Sequence, residues 1–478
     1  MTDGPTLELA AGGSAEPEGR VPPPLPPDDP DAWYAPDVRA QYEVTPGVVA
    51  TVRDAADGAG GFSYRVREPW LSPRGEAALD RVAAHFEGVS RRRPLTREGA
   101  LERARLGLEP KFERVLDRLL DVSPAARRRV DYYALCELRL LGEVTPLALD
   151  ERIDVVDVGR DGTADRLVVH TADYAPAVTA YGVDGEYTDR IAGERLASYR
   201  VPFAGFHIEV VIYRDHLLGE DRFATKYAVL EPDLLPGDEE LIAEAKERIW
   251  ETNVDGVVED RHAFVRERAR GFLSRRLTAR NTRAWLDVTE HRVKEALAEY
   301  GLAVPPVDDR FAPDRLDDLV YYVLRDYVGE GILTIPIRDP HLEDIEANRV
   351  GERVKVIPRA DVTVDGGRVP TNLAFDDETS FVNVVTQLAA NDGTELSASV
   401  PSAKVNIDLP GVDETIRCAV ALPVISEGGP HVSIRKQAPD AMTPSDLVAR
   451  GALSTELVTL LWMLYEHHCV VLFSGPTG

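Results

Sequence analysis

The spacing of apolar residues divides the chain into helical and strand-forming stretches. From Arg74 to Leu141, apolar side chains recur every three or four residues with charges between them, as at Phe112, Val115 and Leu119. This period places the apolar side chains on one face of an α-helix. The pattern therefore predicts a helical region over these residues.

Shorter runs with strand character follow. The segments Arg152–Val158, Asp165–Thr171 and Phe206–Tyr213 are rich in β-branched residues and are separated by glycine and aspartate turn signals, as is typical of strands. A second helical stretch is predicted from about Pro236 to Tyr300, because it opens with acidic residues, which a helix N-terminus favours. Glycine and prolines within residues 301–306 then end the helix and indicate a linker.

Two segments of the chain resemble each other. Residues 132–156 align without gaps to residues 321–345, and both segments read as a helix, a glycine stop, a loop and an acidic-apolar strand. The unbroken register favours duplication over chance similarity, so we expect the first domain to be a diverged duplicate of the unit that begins near residue 310. The identical pairs include Tyr132 with Tyr321, Tyr133 with Tyr322, Leu135 with Leu324, Gly142 with Gly331, Thr145 with Thr334 and Asp150 with Asp339.

The last residues carry the start of a phosphate-binding motif. A continuous apolar run, Cys469–Phe473, predicts a buried parallel strand. The residues after it are Ser474, Gly475, Pro476, Thr477 and Gly478, the order in which a P-loop begins. A complete loop also needs a lysine for the phosphates and a hydroxyl residue for Mg²⁺, so hydrolysis is not expected of these 478 residues alone. A strand–turn–strand unit of an unrelated sheet is the alternative.

Composition narrows the class of protein. The chain carries 82 acidic and 55 basic side chains, for a formal net charge of −27. Because nucleic acids are polyanions, they are not expected as partners, and the arginine runs at 91–93 and 127–129 are interpreted as helix surface. An excess of acidic over basic residues, with few lysines, is typical of cytoplasmic proteins of halophiles, whose acidic surfaces keep them soluble in high salt. An ordinary acidic protein is the alternative.

The N-terminus and the cysteines bear on localisation. Residues 1–30, rich in proline, glycine and acid, predict a disordered tail. The first residues lack the basic and apolar stretches of a signal peptide, and the apolar window Leu457–Phe473 is interrupted by Glu466, His467 and His468. Three widely spaced cysteines support neither a disulfide framework nor a zinc site. We therefore expect a protein of a reducing compartment that is neither exported nor membrane-spanning.

An ordered series of short motifs precedes the apolar run. It contains DPHLEDI from Asp339, VPTNLAF from Val369, TIR at Thr415–Arg417, SIRK at Ser433–Lys436 and TPSDL from Thr443. In this order, and followed by an apolar strand and GPTG, the series resembles the type II/type IV secretion ATPase superfamily, in its archaeal pilus and archaellum branch. The resemblance covers about residues 310–478, whereas the first 300 residues lie outside the common pattern.

The resemblance implies a PAS-like domain over residues 340–440, followed by a RecA-like ATPase domain that begins at Met442. In this family six subunits form a ring, and ATP with Mg²⁺ lies between the two domains. Arginines of the first domain approach the phosphates, so Arg417 and Arg435 are the candidate phosphate-contacting residues, with Lys436 beside the interdomain linker. A guanidinium suits this role because it stays charged and grips phosphate oxygens with two hydrogen bonds. The alternative is that both are ordinary exposed strand arginines.

Other polar residues near these motifs are expected to be structural. Glu343, Asp344 and Glu346 form an acidic cluster, which favours a solvated face over a metal site. His467 and His468 precede the apolar run without a nucleophile as partner, so packing or solvent contact is expected rather than catalysis.

The sequence therefore predicts a multidomain protein of mixed α+β and α/β class, with helical and PAS-like N-terminal domains before the first helix and strand of a RecA-like P-loop domain. The expected divisions are the tail at 1–30, a helical plus α+β domain at 31–235, a helical region and linker at 236–305, a helix with a PAS-like domain at 306–440, and an incomplete ATPase domain at 441–478. The expected function is that of the N-terminal part, truncated in the P-loop, of a hexameric motor ATPase for pilus or archaellum assembly or type II/IV secretion. Such a motor works in the cytoplasm at a polytopic membrane platform protein. The alternative is a non-catalytic adaptor that binds ring subunits or that platform.

Overall fold

The computed structural model of the chain describes residues 35–55, 61–89, 91–159, 165–216, 223–250, 261–277, 312–359, 361–362, 367–409, 416–426, 428–436, 443–449 and 451–474. The strands are β1 (Val38–Thr45), β2 (Val48–Asp54), β3 (Phe62–Arg67), β4 (Ile153–Val158), β5 (Arg166–Thr171), β6 (Ala177–Gly182), β7 (Glu194–Phe203), β8 (Phe206–His216), β9 (Phe223–Leu230), β10 (Leu342–Ala347), β11 (Arg353–Pro358), β12 (Val369–Ala374), β13 (Ser402–Ile407), β14 (Ile416–Ala421) and β15 (His431–Lys436). The α-helices are α1 (Pro73–His85), α2 (Arg97–Leu106), α3 (Pro110–Leu119), α4 (Pro124–Arg139), α5 (Thr145–Leu149), α6 (Thr188–Ala192), α7 (Asp238–Trp250), α8 (261–277), α9 (Pro313–Tyr327), α10 (Thr334–Arg338), α11 (Glu378–Asn391), α12 (Pro444–Ala449) and α13 (Thr455–Glu466). Single 3₁₀ turns at Gly142–Val144 and Gly331–Leu333 precede α5 and α10.

The strands form two mixed sheets. One has the order β1-β2-β3-β6-β5-β4, and the other has the order β13-β14-β15-β10-β11-β12-β9-β8-β7. In each sheet a three-stranded antiparallel meander joins the later strands through one parallel pair, β3 with β6 or β9 with β12. The described part of the chain is therefore of mixed α+β class, as predicted.

Local sequence signals explain several of these elements. Helices α1 and α4 begin after Ser72 and Ser123, whose hydroxyl oxygens accept hydrogen bonds from the backbone amide three residues on, and a proline occupies the first turn of each. The hairpin between β7 and β8 turns at Ala204 and Gly205, with φ of 52° and 83°. Positive φ at both positions matches the twist of the paired strands.

Most predicted elements are present. The helical region from Arg74 to Leu141 consists of α1 to α4, and the three predicted strand runs are β4, β5 and β8. Helices α7 and α8 occupy the predicted second helical stretch, whereas residues 278–311, with the expected linker, lie outside the described residues. The expected tail at 1–30 also lies outside them. The first meander, β1 to β3, was not predicted.

The nine-stranded sheet crosses the domain boundary expected at residue 235. Strand β9 pairs with β12 at Tyr227 and Thr371. The side-chain amide of Asn372 extends this junction, because it accepts from the backbone amide of Val229 and donates to its carbonyl, both at 2.9 Å. Strands β7 to β9 therefore belong with β10 to β15, and a cut at residue 235 would divide one sheet.

We call β1 to β6 with their helices the first unit, and β7 to β15 with theirs the second unit. Each unit contains its own buried carboxylate that accepts two tyrosine hydrogen bonds. In the second unit, the hydroxyls of Tyr199 on β7 and Tyr227 on β9 both donate to Oδ2 of Asp339 at 2.8 Å. Asp339 is fully buried. Its carboxylate therefore ties the meander to the loop before β10. The matching contacts in the first unit are those of Tyr42 at 2.7 Å and Tyr64 at 2.5 Å with Oδ2 of Asp150.

A second set of contacts recurs where each meander meets its helix. The hydroxyl of Tyr321 donates to Glu231 at 2.9 Å, and that of Tyr322 donates to the carbonyl oxygen of Pro232 at 2.7 Å. Both tyrosines lie on α9, so the helix is fixed to the residues that follow β9. In the first unit, Tyr132 donates to Glu68 at 2.7 Å and Tyr133 to the carbonyl oxygen of Pro69 at 2.8 Å.

The largest core cluster lies on one side of the nine-stranded sheet. It includes Val323 of α9, Phe381 and Val385 of α11, and inward residues of β10 to β15 such as Ile345 and Ile434. The opposite face of these strands carries polar side chains. None of the helices in the part of the chain that the structure describes is both long and apolar enough to cross a membrane.

Candidate functional site

The two candidate arginines lie side by side on the outward face of the nine-stranded sheet. In the antiparallel pair β14–β15, Arg417 is directly opposite Arg435. Because side chains alternate along a strand, neighbours such as Cys418 and Ile434 point inward and are buried, whereas both arginines are exposed. The structure thus places two guanidinium groups next to each other in solvent.

Arg435 is oriented by a carboxylate from the next strand. Its Nε and Nη2 donate to the two carboxylate oxygens of Asp344 on β10, both at 3.0 Å. Hydrogen bonding to Asp344 raises the pKa of Arg435 above its ordinary value. The Arg435 side chain is 72% exposed, so solvent screens the pair, which contributes less than about 1 kcal/mol to stability. An anion can therefore replace Asp344 on the guanidinium at low cost.

A second arginine–carboxylate pair lies beside the first. Arg368 donates from Nε and Nη2 to the carboxylate of Glu346 at 2.8 and 3.0 Å, and Glu346 lies opposite Ser433 of β15. Two members of the predicted acidic cluster, Asp344 and Glu346, are thus ion-paired, and Glu343 is exposed. Within the described residues, no group of three or more histidine, cysteine or acidic side chains could hold a metal ion.

Lys436 points away from the arginine face. The residue is 2% exposed, and its ammonium donates to the backbone carbonyl oxygen of Asp339. Strand alternation explains this position, because Lys436 follows the outward-facing Arg435. Lys436 therefore supports the interior, next to the buried Asp339 carboxylate, and does not extend the arginine pair.

The segment after β15 is a pair of exposed helices. Neither α12 nor α13 contains a buried residue, so the predicted helix forms but packs on no core. The predicted buried strand at Cys469–Phe473 is wrong, because residues 469–474 form no strand and are exposed. A parallel strand needs a neighbour for its backbone groups, and no other strand of the described residues pairs with this segment. The exposed apolar side chains include Trp462 at 63%, Val470 at 98%, Leu472 at 89% and Phe473 at 75%.

The remaining predicted positions lie at the end of this segment. Gly475, Pro476, Thr477 and Gly478 lie outside the described residues. His467 and His468 follow the last turn of α13 and are both exposed.

Asp344 is the residue of this site whose role the sequence did not reveal. Alternation in the strand LEDIEA indicates that Asp344 and Glu346 share an outward face. The partner of Asp344, however, lies 91 residues away in sequence, and local spacing contains no information on that pairing. The sequence alone therefore favours a solvated carboxylate, whereas in the structure this group orients Arg435.

Comparisons with known proteins give limited matches. No protein-family profile matches the sequence. An uncharacterized protein of Methanocaldococcus jannaschii is 26% identical over 270 residues, which are 55% of this chain and 44% of that protein, so the chain spans less than half of this relative's length. Among solved structures, the VirB11 ATPase from the Brucella suis type IV secretion system, in complex with sulphate, is a neighbour. Its match has 19% identity, covers 30% of this chain and 44% of that one, and has a TM-score of 0.21, a value at which the superposition supports no argument about the fold.

Proposed function

We propose that the chain is part of a hexameric ATPase that powers pilus or archaellum-like assembly, or type II/IV secretion. On this proposal the strands β10 to β15 and α11 form the domain that precedes the nucleotide-binding core, and α12 and α13 begin that core. The ordered motifs from Asp339 to Thr443 support this assignment. ATP and Mg²⁺ are the proposed ligands of the complete protein.

The observation that carries the proposal is the pairing of Arg417 with Arg435. Opposite residues on antiparallel strands have Cβ atoms about 5 Å apart, so two guanidinium groups project from nearly one point. Both face solvent, and Arg435 is the penultimate residue of β15, just before the connection to α12. Paired guanidiniums can hold several phosphate oxygens at once. Asp344 keeps one of them aligned before a ligand arrives.

The exposed apolar surface of α13 and residues 469–473 supports the same assignment. Trp462, Leu472 and Phe473 are mostly exposed, and contiguous apolar surface of this kind marks a site of association. On this proposal, further strands and helices of the nucleotide-binding domain pack on this apolar surface. The proposed hexamer places the arginine pair beside the nucleotide, and the proposed cellular partner is a polytopic platform protein at the cytoplasmic side of the membrane.

The test is Mg²⁺-dependent ATP hydrolysis by the intact gene product. Arg435→Gln and Arg417→Gln remove one guanidinium each from an exposed strand position, so the fold is expected to persist. Arginines that contact the transferred phosphoryl group are worth about 10³-fold or more in kcat, and we expect each variant to lose at least about tenfold. Arg65→Gln is the matched control, because Arg65 is also an exposed strand arginine, on β3 of the first unit.

Two results would contradict the proposal at different points. ATP hydrolysis that is equal in wild type and in both site variants would show that the arginine pair does not contact phosphate. Intact protein that neither binds nor hydrolyses ATP, yet co-purifies with ring subunits or the membrane platform, would establish the non-catalytic adaptor instead.

A further inference from the structure

A cavity of about 540 Å³ lies where the two units meet. One wall is helix α2 of the first unit together with the residue that caps its N-terminus, and it includes Thr96, Gly99, Glu102 and Arg103. The other wall is the outward face of β7 and β8 of the second unit. Strand β7 is six strands from β15 in the sheet, which corresponds to about 29 Å at about 4.8 Å per strand. The cavity is therefore separate from the arginine pair at β14–β15.

The cavity is basic although the chain is strongly acidic. Its charged lining residues are Arg103, Arg105, Arg195, Arg200, Glu102 and Glu209. Four arginines against two glutamates give the lining residues a formal charge of +2, in a chain whose formal net charge is −27. Arg105 also pairs with Glu151, which is not a lining residue, at 2.8 Å, so Arg103 and Arg200 carry most of the positive charge available to a ligand. A concentration of positive charge in a concave site raises the local concentration of anions.

Two of these arginines are held in place by the protein. Arg195 forms a two-point ion pair with Glu102, with both N···O distances at 2.8 Å. Arg103 donates to the backbone carbonyl oxygens of Arg92 and Arg139, so neutral acceptors rather than carboxylates are its hydrogen-bond partners within the described residues. Burial lowers the pKa of Arg103, because removal from water destabilises the charged guanidinium, and the nearby carboxylates of Glu109 and Glu209 oppose this shift.

Arg200 completes the basic side of the cavity. It is exposed on β7, and Glu209 lies opposite it on β8. The Glu209 carboxylate accepts a hydrogen bond from the Ser198 hydroxyl at 3.0 Å. The other side is apolar, where Val211 packs with Leu95 and Leu230. The cavity thus offers guanidinium groups at one side and an apolar surface at the other.

We propose that this cavity binds a small phosphorylated molecule with an apolar or aromatic body. The arginines take the phosphate through charge-assisted hydrogen bonds, and the wall at Val211 and Leu230 takes the body. The volume is within the range of about 300–1,000 Å³ found for small-molecule sites. Because both units line the cavity, a bound ligand stabilises their joint arrangement.

The proposal is tested by calorimetric titration of the full chain at low ionic strength. AMP is the probe. Adenosine, which lacks the phosphate, and inorganic phosphate, which lacks the aromatic base, are the comparison ligands. We expect one saturable site for AMP and at least about tenfold weaker binding of each fragment. Arg200→Gln is expected to weaken AMP binding by about tenfold, and Ser198→Glu, which adds a carboxylate beside Arg200, by more.

Two control variants locate the site. Arg65→Gln makes the same change in net charge at an exposed strand arginine outside the cavity, and Arg435→Gln alters the proposed ATPase site. Both are expected to leave AMP binding unchanged. Absence of saturable AMP binding, equal weakening by Arg200→Gln and Arg65→Gln, or weakening by Arg435→Gln alone would overturn the cavity assignment. The last result would at the same time support the arginine pair as a phosphate site.

Discussion

Removal of one tyrosine hydroxyl tests whether the buried carboxylate of each unit stabilises its fold. Tyr227→Phe deletes the hydroxyl that donates to Oδ2 of Asp339 at 2.8 Å and leaves the ring in place. Both residues are fully buried, so water cannot replace the lost donor without a rearrangement. A hydrogen bond to a charged group contributes about 1.5–3 kcal/mol. We therefore expect Tyr227→Phe to lower the free energy of unfolding by about 2 kcal/mol.

The loss of unfolding free energy in Tyr227→Phe is expected to depend on pH. Burial raises the pKa of Asp339, while hydrogen bonds from the backbone amide of His341 and from the two tyrosines oppose this rise. The folded pKa lies above the unfolded one, so the native state binds more protons between the two values, and this group's contribution to stability falls as pH rises through that window. Loss of one donor raises the folded pKa further. The difference between Tyr227→Phe and wild type should therefore be larger at neutral pH than at pH 4.

Urea unfolding followed by tryptophan fluorescence measures this difference. Tyr64→Phe is the equivalent change in the first unit, where the hydroxyl lies 2.5 Å from Oδ2 of Asp150, and a similar loss is expected. Tyr465→Phe is the surface control, because Tyr465 is 79% exposed and surface changes usually cost less than about 0.5 kcal/mol. A Tyr227→Phe loss no larger than that of Tyr465→Phe would refute the reasoning. So would an undiminished loss in an Asp339→Asn background, since the coupling in such a cycle reports the direct contact.

Three further outcomes follow from buried or strained positions. Burial raises the pKa of Asp318 to about 6 despite a nearby lysine ammonium. The native state therefore binds a proton that the unfolded state has lost, and the free energy of unfolding falls as pH rises from about 4 to 6. Asp318→Asn should remove up to about 3 kcal/mol of this pH dependence, as measured by urea unfolding at the two pH values. Cys469 is exposed, whereas burial raises the pKa of the other two thiols to about 12, so a thiol reagent should label one cysteine in the native protein and all three in denaturant. Gly331 and Gly351 both have positive φ, but an added Cβ at Gly331 would lie 2.9 Å from a valine methyl group of α11 and one at Gly351 would meet open space. Thermal unfolding should therefore show Gly331→Ala to be less stable than Gly351→Ala by at least about 1 kcal/mol.

Periodicity predicted elements whose pattern is complete within one segment. The charged and apolar spacing from Arg74 to Leu141 gave α1 to α4, and β-branched runs gave β4, β5 and β8. The apolar run Cys469–Phe473 has the same strand-like composition but forms no strand. Composition reports which backbone conformation a segment favours, whereas a strand forms only when a neighbour satisfies its backbone groups.

Sheet order and side-chain register could not be predicted because they depend on distant contacts. The parallel junction of β9 with β12 rests on Asn372 and Val229, which are 143 residues apart in sequence. The arginine site has the same limitation. Residue chemistry selected Arg417 and Arg435 as candidates, but their direct opposition depends on the register of β14 with β15. A shift of one residue between these two strands would turn one of the two guanidinium groups toward the core and separate the pair.

Contacts that recur in both units distinguish residues that each unit needs for folding from residues that serve another purpose. Asp150 and Asp339 each accept hydrogen bonds from two meander tyrosines, and both carboxylates are buried. The arginine pair, by contrast, has no equivalent in the described part of the first unit. In the described residues the first sheet ends at β4, whereas its counterpart β10 pairs with β15, so Arg417 and Arg435 lie on strands that only the second unit has. The cavity arginines likewise come from α2 of one unit and β7 of the other, a combination that one unit alone cannot form. Shared contacts therefore explain the common fold, and the two arginine clusters, where the units differ or meet, are the positions at which specific function is expected.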